Sequence, residues 1–212
     1  MIGAEKDMND RKKSPEEIRD ICLEYLKSKY EDTFTAKGFF AKKWANEYSA
    51  ITFSSAKYPD EIVEVRAYGL GGDECRCKDN YFKCFMRDEA MNYFSDIDKD
   101  LPGRIIVRFP GSVWSDELAG ISSFVQWVSS GKCLIDVFVI LDQMITEERM
   151  IEYTKEVIKG NISGMVSFIV LKNNESIGMD LDGILNNQGE LVESKRDFCL
   201  LNYDSKMAIL GR

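Results

Sequence analysis

Two hydrophobic rhythms meet at Leu101-Pro102-Gly103, and together they limit what this chain can fold into. Before that break a single helical stripe gives way to short runs of two-residue alternation. Ser14-Pro15-Glu16-Glu17 is a helix start: Ser14 caps, Pro15 suits the first turn, and Glu17 completes a capping box. Ile18, Ile21, Cys22, Tyr25, Leu26 and Lys29 then recur at helical spacing, which predicts a helix to about Tyr30. Strands are expected over residues 33–41, 49–55, 62–68 and 80–86. Tyr58-Pro59-Asp60-Glu61 reads as a turn, residues 69–80 as a glycine- and charge-rich loop, and residues 88–98 as a helix.

Beyond the break the order becomes regular. Strands at 104–109, 134–141 and 165–171 alternate with helices at 115–129 and 146–159, and a last strand runs through 198–203. Thr146 suits an N-cap with Ile145 and Met150 as a hydrophobic staple, and Gly160-Asn161 suits the helix end. The expected class is α+β: an N-terminal helix packed on an antiparallel meander, then a β-α-β-α-β-β half with an antiparallel or mixed sheet. The expected domains are 1–100 and 101–212, or one continuous domain.

Hydrophobic residues make up 44% of the chain, enough for a sizeable core and too many for a disordered one. The net charge of -8 divides evenly, because residues 1–100 carry 17 Lys/Arg against 21 Asp/Glu and the remainder 11 against 15. The densest basic cluster is Arg11-Lys12-Lys13, too little to neutralise a phosphate backbone, so no nucleic-acid partner is expected. An acidic surface suits solubility and, more sharply, a basic protein partner. No apolar run approaches the ~20 residues of a membrane helix, and residues 1–14 hold neither a signal-peptide core nor a lipobox cysteine. As written the chain is expected in the cytoplasm; a trimmed leader or misassigned start would place it outside.

The chain has no histidine, which removes Ser-His-Asp triads, Cys-His dyads and His-based zinc hydrolases while leaving carboxylate and thiol chemistry open. Of six cysteines, Cys22, Cys133 and Cys199 sit in apolar patterns and read as buried thiols. Cys75, Cys77 and Cys84 are closer together, but C-x-C-x6-C is not a paired zinc knuckle. Unpaired thiols are the leading reading, with a loop disulfide if the chain is exported and a soft metal third; no metal or cofactor is carried forward.

Gly69-Leu70-Gly71-Gly72 lacks the ending of a phosphate loop. Asp96, Asp98 and Asp100, and likewise Asp180, Asp182 and Glu190, fail the calcium-loop template and read as solvated turns. Trp127 reads as core, and Trp44 and Trp114 join the aromatics that core packing or a groove would use. Cys75, Cys77, Cys84, Tyr81, Phe85 and Arg87 form the candidate ligand or partner surface. A thiol or carboxylate site would instead draw on Asp73, Glu74, Cys75, Cys77, Asp79 and Arg87.

The stretch from Lys78-Asp79-Asn80-Tyr81 to Arg87-Asp88-Glu89, following a helix that ends Tyr25-Leu26-Lys27-Ser28-Lys29-Tyr30 and a set of short strands, resembles a loose group of proteins. They are uncharacterised small α+β proteins of Gram-positive bacteria, many of them exported or lipid-anchored. The resemblance covers roughly the first 100 residues and implies an extracytoplasmic setting but no transferable activity. The expected function is a non-enzymatic binding or interaction domain. The alternatives are an acidic immunity-type antagonist of a basic toxin and an enzyme using carboxylates or a thiol within residues 69–88.

Overall fold

The first helix starts where the capping box places it. In a computed structural model describing residues 13–40, 47–59, 61–70, 75–111, 113–118, 120–201 and 206–210, α1 spans Pro15–Lys29. The Glu17 amide donates to Ser14 Oγ at 3.2 Å, and the Ser14 amide donates to Glu17 Oε2 at 2.7 Å. Arg11, Lys12, Trp44, Gly71, Gly72, Asp73, Glu74 and Tyr203 lie outside the described residues. Two compact units emerge, Met1–Cys84 with Trp114–Ala119, and Phe85–Val113 with Gly120–Arg212.

In the first unit Ile18, Cys22 and Leu26, four residues apart, form the buried stripe of α1, and the helix lies against β1, β2 and β3. The strands β1 (Phe34–Phe40), β2 (Tyr48–Ser55), β3 (Ile62–Tyr68) and β4 (Arg76–Asp79) pair antiparallel in sequence order. Val63, Val65 and Ala67 alternate inward from β3, and Phe34, Ile51 and Phe53 complete the core. The helix-on-meander expectation is met, but the fourth strand lies within the expected loop and not at 80–86. There the backbone turns at Asn80, whose Oδ1 accepts the Glu64 amide at 2.8 Å. The Lys83 and Cys84 amides return to the Asn80 and Tyr81 carbonyls, opening α2 (Phe82–Ser95). Phe82, Met86, Ala90 and Phe94 are buried at four-residue spacing, so the helical period overrides the strand preference of the aromatics.

The second unit is built on β5 (Gly103–Arg108), β6 (Leu134–Leu141), β7 (Ser163–Leu171), β8 (Val192–Leu201) and β9 (Lys206–Leu210), a sheet in sequence order. Only β6 and β7 are parallel, so the sheet is mixed. Their connection carries α4 (Glu147–Lys159), capped by Thr146 with Ile145 and Met150 both buried. Tyr153 of α4 packs edge-on to Phe168, which meets Phe198 in turn, all on one face of the sheet. On the other face Phe138, Ile140, Ile169 and Leu171 pack with Leu181 and Ile184 of α5 (Leu181–Asn186), beyond which α6 (Gln188–Leu191) leads into β8. Coverage of both faces explains why β6 and β7 read as unbroken apolar runs.

The helix expected at 115–129 is split into a 3-10 turn at Ser115–Leu118 and α3 (Phe124–Ser129). Gly120, at φ 78, ends the first piece, and Ser123 caps the second through the Gln126 amide. Phe124 of α3 then packs with Tyr93 and Phe94 of α2 and edge-on to Trp127. The last strand is longer than expected, and β9 adds one more. Among the described residues no helix is long and apolar enough to cross a membrane.

Gly164 sits inside β7 at φ 130, where an added Cβ would collide with the Ile135 carbonyl oxygen of β6. Gly164→Ala is expected to lower stability by about 1–3 kcal/mol. Gly178→Ala, with open space around the added atom, should stay within about 0.5 kcal/mol. Urea unfolding followed by circular dichroism compares the two.

Candidate functional site

The first unit gathers its chemically capable side chains around one buried carboxylate. Asp79 ends β4 at 0% exposure. Its Oδ2 accepts from the Tyr25 hydroxyl at 2.8 Å and from Lys29 Nζ at 2.9 Å. Its Oδ1 accepts from the Tyr30 hydroxyl and the Tyr81 amide, each at 2.9 Å. Tyr25 and Lys29 share a face of α1 because they are four residues apart, and Tyr30 follows the helix end. Ser115 Oγ accepts the Asp79 amide at 3.1 Å and lies 3.3 Å from the Tyr25 hydroxyl.

Tyr81 carries the network to a second carboxylate. Its hydroxyl donates to Asp32 Oδ2 at 2.7 Å, and Ser55 Oγ donates to the same oxygen. Asp32 Oδ1 holds the Thr33 and Lys57 amides. The Tyr81 ring packs on Tyr30, Phe34 and Tyr58, so the hydroxyl is polar cargo on an aromatic cluster.

Burial opposes ionisation of Asp79, yet the hydrogen bonds from Ser115 and Lys29, the Lys29 charge and the Tyr25 hydroxyl outweigh it and hold the carboxyl below the usual range. Burial likewise opposes ionisation of Asp32, and Ser55, Tyr81 and two backbone amides hold it low. The phenols move the other way: burial first and then Asp79 push Tyr25 and Tyr30 up, and burial and Asp32 push Tyr81 up. Anionic carboxylates facing neutral phenols make a closed donor–acceptor set, and none of these groups is poised to exchange a proton near neutral pH.

The six residues of the sequence-based surface fall at β4, in the turn after it and on α2. Cys75 and Cys77 are half-buried at and just before β4, while Cys84 is buried in α2 with its thiol raised to about 11 by burial and Asp32. Tyr81 is buried in the network just described, and Phe85 and Arg87 are half-buried on α2 in the second unit. The Cys77 thiol interacts with the thiols of Cys22 and Cys75. All six cysteines are free, and among the described residues no three Cys, Asp or Glu side chains are grouped to hold a metal ion.

The calcium-like acids have ordinary employment. Asp98 pairs with Arg149 at 2.8 Å, Asp180 caps α5, and Asp182 pairs with Arg108. On the outer face of the meander Arg66 is stacked between Tyr48 and Trp114, 4.4 and 4.0 Å from the ring centres, and bonded to Glu64.

One outward feature escaped the sequence reading. β1 is an edge strand of the first sheet, and it leaves Phe39 37% and Phe40 64% exposed. Beside it a shallow groove of about 270 Å³ is lined by Pro15, Arg19, Lys37, Phe39 and Ile51. A register shift between Ala36 and Gly38 makes Lys37 a bulge residue. Tyr30, Asp32 and Ser115 also escaped, since each is an ordinary turn or helix residue in sequence.

No family model matches the chain, and no curated protein matches it. Among solved structures it is similar to the crystal structure of a DUF5037 family protein from Ruminococcus gnavus. That match has 14% identity and a TM-score of 0.52, covering 90% of this chain and 94% of the other. At that identity the likeness extends to the fold, shared with a protein of a Gram-positive bacterium.

Replacing Asp79 tests the network. The ordinary carboxyl titrates near about 4 when unfolded, and the folded value is lower. The contribution is therefore complete above the unfolded value and lost as pH falls through the folded one. Asp79→Asn is expected to cost about 3 kcal/mol at pH 7, with the gap to the parent narrowing below about pH 4. Urea unfolding from pH 7 to pH 3 reads it; a gap unchanged over that range contradicts the assignment.

Proposed function

We propose that this protein is a non-enzymatic binding module whose partner is a protein of net positive charge, docking an extended segment along β1. The observation that carries this reading is the edge strand itself, with Phe39 and Phe40 exposed on a sheet margin that no described strand occupies. An unpaired strand offers a row of backbone donors and acceptors, which a partner strand satisfies while apolar side chains supply area. Lys37 and its bulge blunt the first half of the edge against indiscriminate pairing, leaving the Phe39-Phe40 half as the contact.

Charge gives the partner's sign. A net charge of -8, spread over both halves of the chain, favours encounter with a cationic surface. An acidic antagonist of a basic toxin is one form this reading takes. A thiol or carboxylate enzyme draws less support, because Asp79 and Asp32 are each saturated by internal donors.

A displayed random-peptide library selected on the protein supplies the test. Selected peptides are expected to alternate apolar and Lys/Arg residues, to lose at least tenfold in affinity for Phe40→Asp, and to weaken with salt. Acidic or compositionally neutral peptides, or binding indifferent to Phe40, would overturn the reading.

A further inference from the structure

Cys22 and Cys77 face each other, and the packing of α1 on the sheet fixes how. Tyr25 and Lys29 of α1 both reach the carboxylate of Asp79 on β4. Stepping back along the helix from the midpoint of that pair to Cys22 covers about 7.5 Å at the helical rise. Stepping back along β4 from Asp79 to Cys77 covers about 6.6 Å and keeps the side chain on the same face of the strand. The two steps are matched, so Cys22 lies opposite Cys77 as Tyr25 and Lys29 lie opposite Asp79.

Three further observations agree. Cys22 belongs to the buried stripe of α1 with 0% exposure, so its thiol points at the sheet. Cys77 pairs with Ala67 on β3, itself fully buried on the face that receives the helix. The Cys77 thiol interacts with the thiols of both Cys22 and Cys75.

We propose that Cys22 and Cys77 are a site of oxidative modification, at which a small-molecule disulfide converts the two thiols into an intramolecular disulfide tying α1 to β4. Cys77, half-buried, is the entry point. Its thiolate attacks one sulfur of the small disulfide, breaking that S–S bond and expelling one small thiolate. The Cys22 thiolate then attacks the Cys77 sulfur of the mixed disulfide and expels the second. The two cysteine protons end on the two released thiols, so the protein loses two electrons and the small disulfide gains them.

Cys75 is the competing partner for Cys77, but two residues along a strand span about 6.6 Å between Cα atoms, at the upper edge of the range a disulfide tolerates. Burial and Cys77 raise the Cys75 thiol to about 11. Hydrogen bonding with Cys22, then burial, push the Cys77 thiol further still, so both are almost wholly protonated at neutral pH and exchange is slow and driven at alkaline pH.

The native chain is incubated with 2-hydroxyethyl disulfide, alkylated and mapped by non-reducing proteolysis and mass spectrometry. The expected result is loss of two of the six thiols and a cross-linked peptide pair holding Cys22 and Cys77. Cys75→Ser should leave that product unchanged, whereas Cys22→Ala should stop at a hydroxyethyl adduct on Cys77. The oxidised parent should also melt higher than the same sample after dithiothreitol. A Cys75–Cys77 product in the parent chain, or retention of all six thiols under conditions that oxidise a small dithiol control, overturns the proposal. Because the readout is a covalent map of the native chain, it stands whether or not a partner docks on β1.

Discussion

A carboxylate removed from water costs several kcal/mol unless donors replace its hydration, and Asp79 obliges the first unit to supply them. Two come from one face of α1, one from the residue just past its end, and one from the backbone where β4 turns into α2. Ser115 joins from a segment more than thirty residues further along the chain. That bond accounts for why Trp114–Ala119 belongs with the first unit, and the Tyr81 hydroxyl extends the same set to Asp32 and the turn after β2. Apolar burial of Ile18, Cys22 and Leu26 holds α1 on the sheet, but burial is indifferent to small slides of the helix. The Asp79 donors are not, since hydrogen bonds weaken steeply off their geometry.

The same arrangement shapes the functional reading. Side chains that would attract notice in a search for catalysis, two aspartates and three tyrosines in contact, are satisfied by one another. Among the described residues the exposed large apolar side chains are Phe39 and Phe40 on the edge strand, with Ile62, Val125, Met144 and Met179 elsewhere. The second unit contributes a sheet covered on both faces, and its Asp98, Asp180 and Asp182 cap a helix or pair with arginines. The likeness to the Ruminococcus gnavus protein spans nearly the whole chain at 14% identity, as expected when a fold rests on a few fixed contacts and tolerant apolar packing.

Much of the fold was legible because its signals are local. The Ser14 capping box, the Thr146 cap with its staple, and the apolar runs of β6 and β7 each declare themselves within a few residues. The failures also have local causes. Tyr81, Phe82 and Phe85 favour strands by type, and only burial at every fourth residue shows the helix. Gly120 and Ser123 break what looked like one helix between residues 115 and 129. The network was illegible because it joins Tyr25, Tyr30, Asp32, Asp79 and Ser115 across the chain, and no spacing rule links them. The cysteine neighbourhood shows the same thing: sequence spacing put Cys75 and Cys77 with Cys84, whereas the Cys77 thiol also interacts with Cys22, far away along the chain.

The central claim is that Asp79 sets the register of α1 on the sheet through specific donors and not merely by being buried. A double-mutant cycle pairing Asp79→Asn with Tyr30→Phe isolates one of those contacts from the packing around it. Coupling of about 1 kcal/mol or more at pH 7 is the result this account predicts for a charge-assisted bond in a buried setting. Strict additivity of the two substitutions would contradict it, leaving Asp79 a tolerated burial and the helix register to apolar packing alone.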